Sequence, residues 1–572
     1  MEKIKKLRNI FERENIDGYL IPKNDEFFNE YLSSYNDRLS YISNFTGSYG
    51  FSLILKDKNY LFVDGRYSLQ AFNQSGKFFK IVTFPDKMPH EILKNKKLTI
   101  GFDPKLFTQK TLDIFFVKSK CFFKPVNKNL VDEIWKRKIK INKKKFYRLP
   151  SNSIGSGHKS KIYKIKKLLK KKGADFLFVT APENSAWLLN IRGKDVEYTP
   201  IPLCFVLISK NGDINFFCDP KKIPSTFKTY FKGINFVDIS LLEIVLSKIS
   251  NKNFILDNVT CSYYYKIIIS KSNTILKEQD PIYYFKAIKN KKEIENIKVA
   301  HIYDGVALTK YLFWIKRSFS KKKITEISGS NKLLRFRKQS KKFKFLSFPS
   351  ISGSGPNGAI IHYKADEKSN RKLNKGDLYL IDSGGQYEFG TTDVTRTITL
   401  GNQSKEIKNI FTRVLKGHIA VSNFKIKKNS TGAHIDTIAR KYLKQIGLNY
   451  AHGTGHGVGY FLNVHEGPQA ISKNNKVKFQ EGMVVSNEPG YYKRNKFGIR
   501  IENLIYVKRK KNTKFFENLT MVPIDKDLIE TRMLSKNEKK WLNQYHHKVF
   551  KNLKNFMSIS EKIELKKACS TI

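Results

Sequence analysis

Leu378-Tyr-Leu-Ile-Asp382-Ser-Gly-Gly-Gln-Tyr-Glu-Phe-Gly390-Thr-Thr-Asp393-Val-Thr-Arg-Thr397 reads as two strands around a loose reversal, with one aspartate in each arm. The first arm is a buried-strand pattern, and the second is rich in β-formers. Gly384, Gly385 and Gly390 favour the turn between them. A reversal centred on Tyr387 and Glu388 sets Asp382 and Asp393 opposite each other on one side of the sheet. Taken singly, either aspartate is an ordinary strand-end residue at a turn.

Three segments further along add to this pair. His452-Gly-Thr-Gly-His456-Gly-Val-Gly459 alternates glycine with other residues, which lets backbone approach a ligand closely. Gly482-Met-Val-Val-Ser-Asn-Glu488-Pro-Gly490 carries a strand into a turn. Phe497-Gly-Ile-Arg-Ile-Glu502-Asn-Leu-Ile-Tyr506 has a period of two, with Arg500 and Glu502 on one face and Ile499 and Ile501 on the other. That charged face alone suits simple solvent exposure, and a lone loop histidine is more often a hydrogen-bonded polar residue than a ligand. Gathered together, Asp382, Asp393, Glu488 and Glu502 around His456 would concentrate about four negative charges, which two divalent cations would neutralise.

The order and spacing of these elements resemble the pita-bread metallopeptidases, and among them the long, three-domain aminopeptidase P branch. Phe348-Pro-Ser-Ile-Ser-Gly-Ser-Gly355, His362-Tyr363, Phe461-Leu-Asn-Val-His465-Glu-Gly-Pro468 and Asn518-Leu-Thr-Met-Val-Pro-Ile524 extend the resemblance beyond the five residues. It implies that Asp393 and Glu502 bridge two divalent ions, that Asp382 completes one shell, and that His456 with Glu488 completes the other. Oxygen-rich ligation with one imidazole suits Mn²⁺, with Co²⁺ or Zn²⁺ as alternatives. The implied nucleophile is a hydroxide bridging the metals, with Glu488 as the general base. His362, His452 and His465 match histidines that position substrate, stabilise the oxyanion and pass a proton to the departing proline nitrogen. Tyr492 and Arg500 match the substrate pocket, and Arg500 is also expected to orient Glu502.

The activity that the resemblance implies is removal of the N-terminal residue from peptides with proline second, by a homodimer. Proline has no N–H to donate and a fixed φ, so it fits poorly in clefts that bind substrate as a strand. A prolidase acting on Xaa-Pro dipeptides is the runner-up. A catalytically inactive pita-bread binding scaffold is the reading from a different class, marked by lost ligands, and none is lost here. Creatinase-like amidinohydrolases share the fold but need not keep all five.

Working outward, the first 300 residues repeat one module. Gly18-Tyr-Leu-Ile-Pro22, Asn44 and Gly47, then the strand pair Gly50-Phe-Ser-Leu-Ile-Leu55 and Tyr60-Leu-Phe-Val63 correspond to Asp175-Phe-Leu-Phe-Val179, Asn190 and Gly193, then Cys204-Phe-Val-Leu-Ile208 and Asp213-Ile-Asn-Phe-Phe217. The fold expected is α/β (α+β): creatinase-like α/β domains at 1–150 and 151–284, a pita-bread catalytic domain at 285–545, and a lysine-rich tail at 546–572. The boundaries fall in the basic stretch 136–158 and near Asp280-Pro281, after which 289–314 reads as a long helix.

At 572 residues the chain exceeds one ordinary core. Its net charge of +57 is spread over the whole length and carried mostly by lysine, so it reads as a solvated surface with no specific nucleic-acid partner. No apolar run reaches the roughly 18 residues of a membrane span, and the N-terminus lacks a signal-peptide core, so no membrane partner and a cytoplasmic location are expected. Five scattered cysteines suggest neither a disulfide framework nor a thiolate metal site.

Overall fold

The structure, a computed structural model, describes residues 1–138 and 142–572. The stretch expected to hold the first boundary, 136–158, includes 139–141, which lie outside the described residues. Two compact units emerge, one of Met1–Ser151 with Ser156–Tyr283 and one of Asn152–Gly155 with Tyr284–Ile572.

The first unit contains two six-stranded sheets with identical wiring. In the first, the strands follow the order Lys80–Phe84, Asn59–Asp64, Phe51–Leu55, Gly18–Pro22, Thr99–Phe102, Phe122–Pro125. In the second, the order is Ile234–Asp238, Ile214–Cys218, Phe205–Ser209, Phe176–Val179, Asn253–Leu256, Thr274–Lys277. In both, the three middle strands pair antiparallel and every outer strand joins in parallel. The repeat reaches individual backbone angles. Asn44 ends the helix Arg38–Ser43 at φ 64°, and Asn190 ends Pro182–Leu189 at φ 54°. Asparagine tolerates this left-handed C-cap better than most residues.

The second unit is built from helix pairs laid on sheets. The helices Lys291–Ser318 and Glu326–Lys338 pack against Ile351–Ser354, Leu378–Ser383 and Val394–Thr399, with Leu308, Ile315, Leu333, Tyr379, Ile381 and Ile398 in one core. The helices Lys405–Ser422 and Gly432–Lys444 cover a second sheet that includes Gly455–Gly457, Glu466–Ile471, Val484–Asn487 and Asn503–Lys510. There Val421, Ile435, Ile471, Val485 and Ile505 meet. Strand alternation then decides which residues face away from the helices: Tyr379 and Ile381 enter the core, so Leu380 and Asp382 point to the other side.

One expectation changes. The helix Lys536–Leu553 runs straight through the boundary expected at 545/546, and Val549, Leu553 and Leu565 are buried with Ile410 and Leu415. The segment expected as a tail is therefore packed onto the unit. Arg500 and Glu502 are buried, as are Ile499 and Ile501, so both faces of that segment are covered and simple solvent exposure does not describe the charged one.

Candidate metal centre

Asp382 lies near the end of the strand Leu378–Ser383, and its register partner across the hairpin is Thr395. Gln386 pairs with Thr391 and Tyr387 with Gly390, so the reversal falls on Glu388 and Phe389, not on Tyr387 and Glu388. Phe389 takes φ 58° to make it. Asp382 and Asp393 are consequently diagonal rather than directly opposed. Asp393 keeps the parity of Thr395, which leaves both aspartates on the side away from the helix core.

His456 is central to the second sheet's contribution, on the short strand Gly455–Gly457. Its backbone N–H donates to Ser486 Oγ at 2.9 Å, and Ser486 Oγ–H donates in turn to Glu488 Oε1 at 3.1 Å. Its Nδ1 lies 2.9 Å from the Gly457 carbonyl oxygen, which can only accept, so Nδ1 carries the proton. Nε2 then faces Asp393 Oδ2 at 3.3 Å and Glu488 Oε1 at 3.6 Å. Ligand atoms of Asp393, His456 and Glu502 all fall within 4.8 Å of one another. Glu502 Oε2 accepts the Thr395 hydroxyl at 2.7 Å.

Arg500 anchors the opposite end. Its guanidinium donates to Asp382 Oδ2 at 2.6 Å, to Thr395 Oγ1 at 3.0 Å and to the Tyr492 hydroxyl at 2.6 Å. The expected direct orientation of Glu502 by Arg500 is thus replaced by a bond to Asp382, and Thr395 connects Arg500 to Glu502. The Tyr492 hydroxyl is 2.9 Å from His452 Nε2, whose Nδ1 donates to the Gly453 carbonyl at 2.7 Å. His465 sets its ring edge-on to His456 with centroids 4.3 Å apart. Beside it, Glu466 is buried against Lys289 and Lys286.

His362 comes from a separate segment, after the turn Gly355–Ala359. That turn lies on the strand Phe497–Arg500 so closely that a Cβ on Gly498 would stand 1.7 Å from the Gly358 carbonyl oxygen. The next residue, Tyr363, donates its hydroxyl to Glu326 at 2.8 Å. Thr395, Ser486 and Glu326 are the residues that sequence reasoning missed. For the first two a signal existed, since each lies two residues from a candidate ligand on an alternating strand.

The acidity of the group reflects crowding in a dry place. Burial, then Asp393, Glu488 and Asp382, push the Glu502 carboxyl well above its usual range. Burial raises Asp382 to about 7, with Arg500 opposing and Asp393 and Glu488 adding to the rise. Burial disfavours a charged His456, but the Asp393 hydrogen bond and the Glu488 charge lift it to about 9. Asp382 Oδ1 is buried without a hydrogen-bond donor among the described residues. An imidazole nitrogen that carries a proton against two carboxylates, beside an orphaned carboxylate oxygen, is a set of ligand atoms in which a proton stands where a cation would, and divalent metal fits it.

The comparisons with known proteins agree with this chemistry. Residues 295–509 match the model of metallopeptidase family M24, and 514–572 match the C-terminal region of peptidase M24. Residues 3–118 and 137–293 each match a creatinase/prolidase N-terminal domain. A probable Xaa-Pro aminopeptidase P of Laccaria bicolor is 38% identical over 95% of this chain and 89% of its own length. Xaa-Pro aminopeptidase 1 of Dictyostelium discoideum is 37% identical over 96% of this chain and 92% of its own. The crystal structure of the Caenorhabditis elegans X-prolyl aminopeptidase, described as a cytosolic enzyme with a di-nuclear active site, superposes with a TM-score of 0.95 at 31% identity, covering 100% of this chain and 99% of that one.

Proposed function

The chain belongs to the Xaa-Pro aminopeptidases of metallopeptidase family M24, and from that premise we propose that it cleaves the first bond of peptides with proline second, with Glu488 as the general base. Asp382, Asp393, His456, Glu488 and Glu502 would hold two divalent cations, Mn²⁺ first and Co²⁺ or Zn²⁺ as alternatives. The single observation that carries this is His456: its Nδ1 is committed to the Gly457 carbonyl, and its Nε2 is turned toward Asp393 and Glu488. When bound, the cations supply Lewis-acid polarisation of the scissile carbonyl and a water nucleophilic near neutral pH.

The protein's own groups do the rest. Glu488, held at Oε1 by Ser486, takes a proton from the attacking water and returns it toward the prolyl nitrogen as that nitrogen leaves. Arg500 favours the ionised form of Asp382, fixes its position and keeps the Tyr492 hydroxyl aimed at His452. His452, His465 and His362 contact the substrate, hold the developing oxyanion and relay that proton to the departing prolyl nitrogen. Tyr492 and Arg500 border the substrate pocket.

The assembly proposed is a homodimer and the location the cytoplasm, the location in keeping with the nematode enzyme, which is described as cytosolic. No helix among the described residues is long and apolar enough to cross a membrane. The even spread of lysine supports a solvated surface with no specific nucleic-acid partner. The test is metal analysis of the purified protein together with cleavage of Xaa-Pro-Xaa peptides, with and without chelator. Two metal equivalents and chelator-sensitive release of the first residue are expected. Better cleavage of the matching Xaa-Pro dipeptide, or no cleavage in Mn²⁺, Co²⁺ or Zn²⁺, would overturn the reading.

A further inference from the structure

We propose that Arg440, together with Asp436, is a positioning residue for His452, clamping the loop 449–454 onto the helix Gly432–Lys444. What His452 does for the reaction rests on the peptidase reading; the clamp itself rests on its hydrogen bonds. Asp436 and Arg440 are four residues apart on one helix face and form an ion pair, with Nε donating to Asp436 Oδ2 at 2.8 Å. The remaining bonds of the guanidinium go to the loop. Nη1 donates to Asn449 Oδ1 at 2.8 Å and to the Tyr450 carbonyl at 2.7 Å, and Nη2 donates to the His452 carbonyl at 2.6 Å. Four of the five N–H groups are thereby in use.

The other Asp436 oxygen secures the far side of the loop. Thr454 donates its hydroxyl to Asp436 Oδ1 at 2.6 Å, so the Tyr450 hydroxyl, 2.5 Å from Thr454 Oγ1, must donate into it. Thr454 and Asp436 are both buried, where an unmet polar atom would be expensive. The Tyr450 ring lies 3.9 Å below the guanidinium and 4.9 Å from the His452 ring. His452 is therefore held by its own carbonyl and by the ring packed against it, and the Thr454 carbonyl accepts the Glu488 N–H at 2.8 Å. Most of Arg440's bonds serve the loop, which points to placement as its role. Lysine would keep the charge but could not span these separate acceptors with one planar fork.

The test is a double-mutant cycle on the metal-loaded protein, using Arg440→Lys, His452→Ala and their combination against one Xaa-Pro-Xaa peptide. Arg440→Lys is expected to lower kcat roughly tenfold with KM and metal content unchanged, and to have almost no effect when His452 is already alanine. A loss that persists undiminished in the His452→Ala background overturns the proposal and leaves Arg440 a general structural role. Should Arg440→Lys not fold, Asn449→Ala removes one acceptor, and its smaller loss must likewise vanish with His452→Ala. Amide hydrogen exchange reads the clamp without activity. In Arg440→Lys the Tyr450 and Glu488 amides should exchange faster while the helix Gly432–Lys444 stays protected, and unchanged protection overturns the clamp. If the wild-type protein cleaves no Xaa-Pro peptide, the proposed function fails, and the exchange experiment still judges the clamp.

Discussion

Glu326 and the carboxylates around His456 are withdrawn from water in the same unit, yet their surroundings differ in kind. The Glu326 carboxylate accepts the Ser354 N–H at 2.7 Å, the Asn357 amide at 3.0 Å, the Tyr363 hydroxyl at 2.8 Å and the Arg371 N–H at 2.9 Å. Asp393, Glu488 and Glu502 instead face one another and the His456 Nε2, with Thr395 and Ser486 as hydroxyl donors. Burial raises the pKa of both Glu326 and Glu502, so a shifted carboxyl does not by itself mark a functional site. The supply of donors separates them. A carboxylate that the chain satisfies organises its own backbone, and a group that the chain leaves short of positive charge is arranged for a cation from outside.

The largest effect expected on this contrast comes from Asp393→Asn. It removes a charge from a proposed bridge, so both metals should be disturbed and kcat/KM should fall by at least about a thousandfold, the equivalent of several kcal/mol of Lewis-acid stabilisation. Glu326→Gln should leave metal stoichiometry intact. Near-wild-type metal content and turnover in Asp393→Asn, measured by elemental analysis and an Xaa-Pro-Xaa assay, would break the comparison at its strong end.

Thr395→Val should rank second. It deletes the hydroxyl that Glu502 accepts and that Arg500 contacts, and a loss of about 10- to 100-fold in metal affinity or activity is expected for such a supporting partner. Titration with Mn²⁺ against activity would separate the two. Glu326→Gln comes third, because an amide group replaces an acceptor opposite converging donors. Denaturant unfolding should show a loss of about 1–3 kcal/mol, with only a minor change in kcat through the neighbouring His362 segment. A stability loss as large for Asp393→Asn in chelator would blur the distinction.

The parts legible in the sequence were those governed by local rules. The repeated module could be followed to Asn44 and Asn190 because a left-handed cap selects asparagine. The hairpin was legible as an element but not in its register: its glycines suggested one centre, while Phe389, a residue with no local preference for positive φ, took the turn. Alternation placed Arg500 and Glu502 on one face without revealing what covers it. The partner of Arg500, Asp382, lies 118 residues away, and such pairings are set by tertiary packing. At the C-terminal end, where a helix or a frayed tail was expected, lysine density hid the packing of a helix whose Leu542, Val549 and Leu553 line one buried stripe.

The smallest and most discriminating expectation concerns pH. Without metal, Asp382 titrates at about 7 in the folded protein, well above the usual 3.8. The unfolded chain therefore releases this proton first, and stability falls as pH rises from about 4 to about 7. His456, raised from 6.5 to about 9, has the same sign. Its stabilising charge is fully present below about 6.5 and is lost as pH rises through about 9. Other titrating groups, on a chain of net charge +57, obscure this in any single melting curve. They cancel in the difference between metal-loaded and chelated protein, so the Tm gap between the two should widen steadily between about pH 5 and 9. For Glu326→Gln the same widening should persist, because that carboxylate is satisfied by the chain in both states. For Asp382→Asn it should shrink in the lower half of the range. A gap that stays constant with pH would show that protons do not stand in for the cations at Asp382 and His456, and the donor-poor side of the comparison would lose its physical basis.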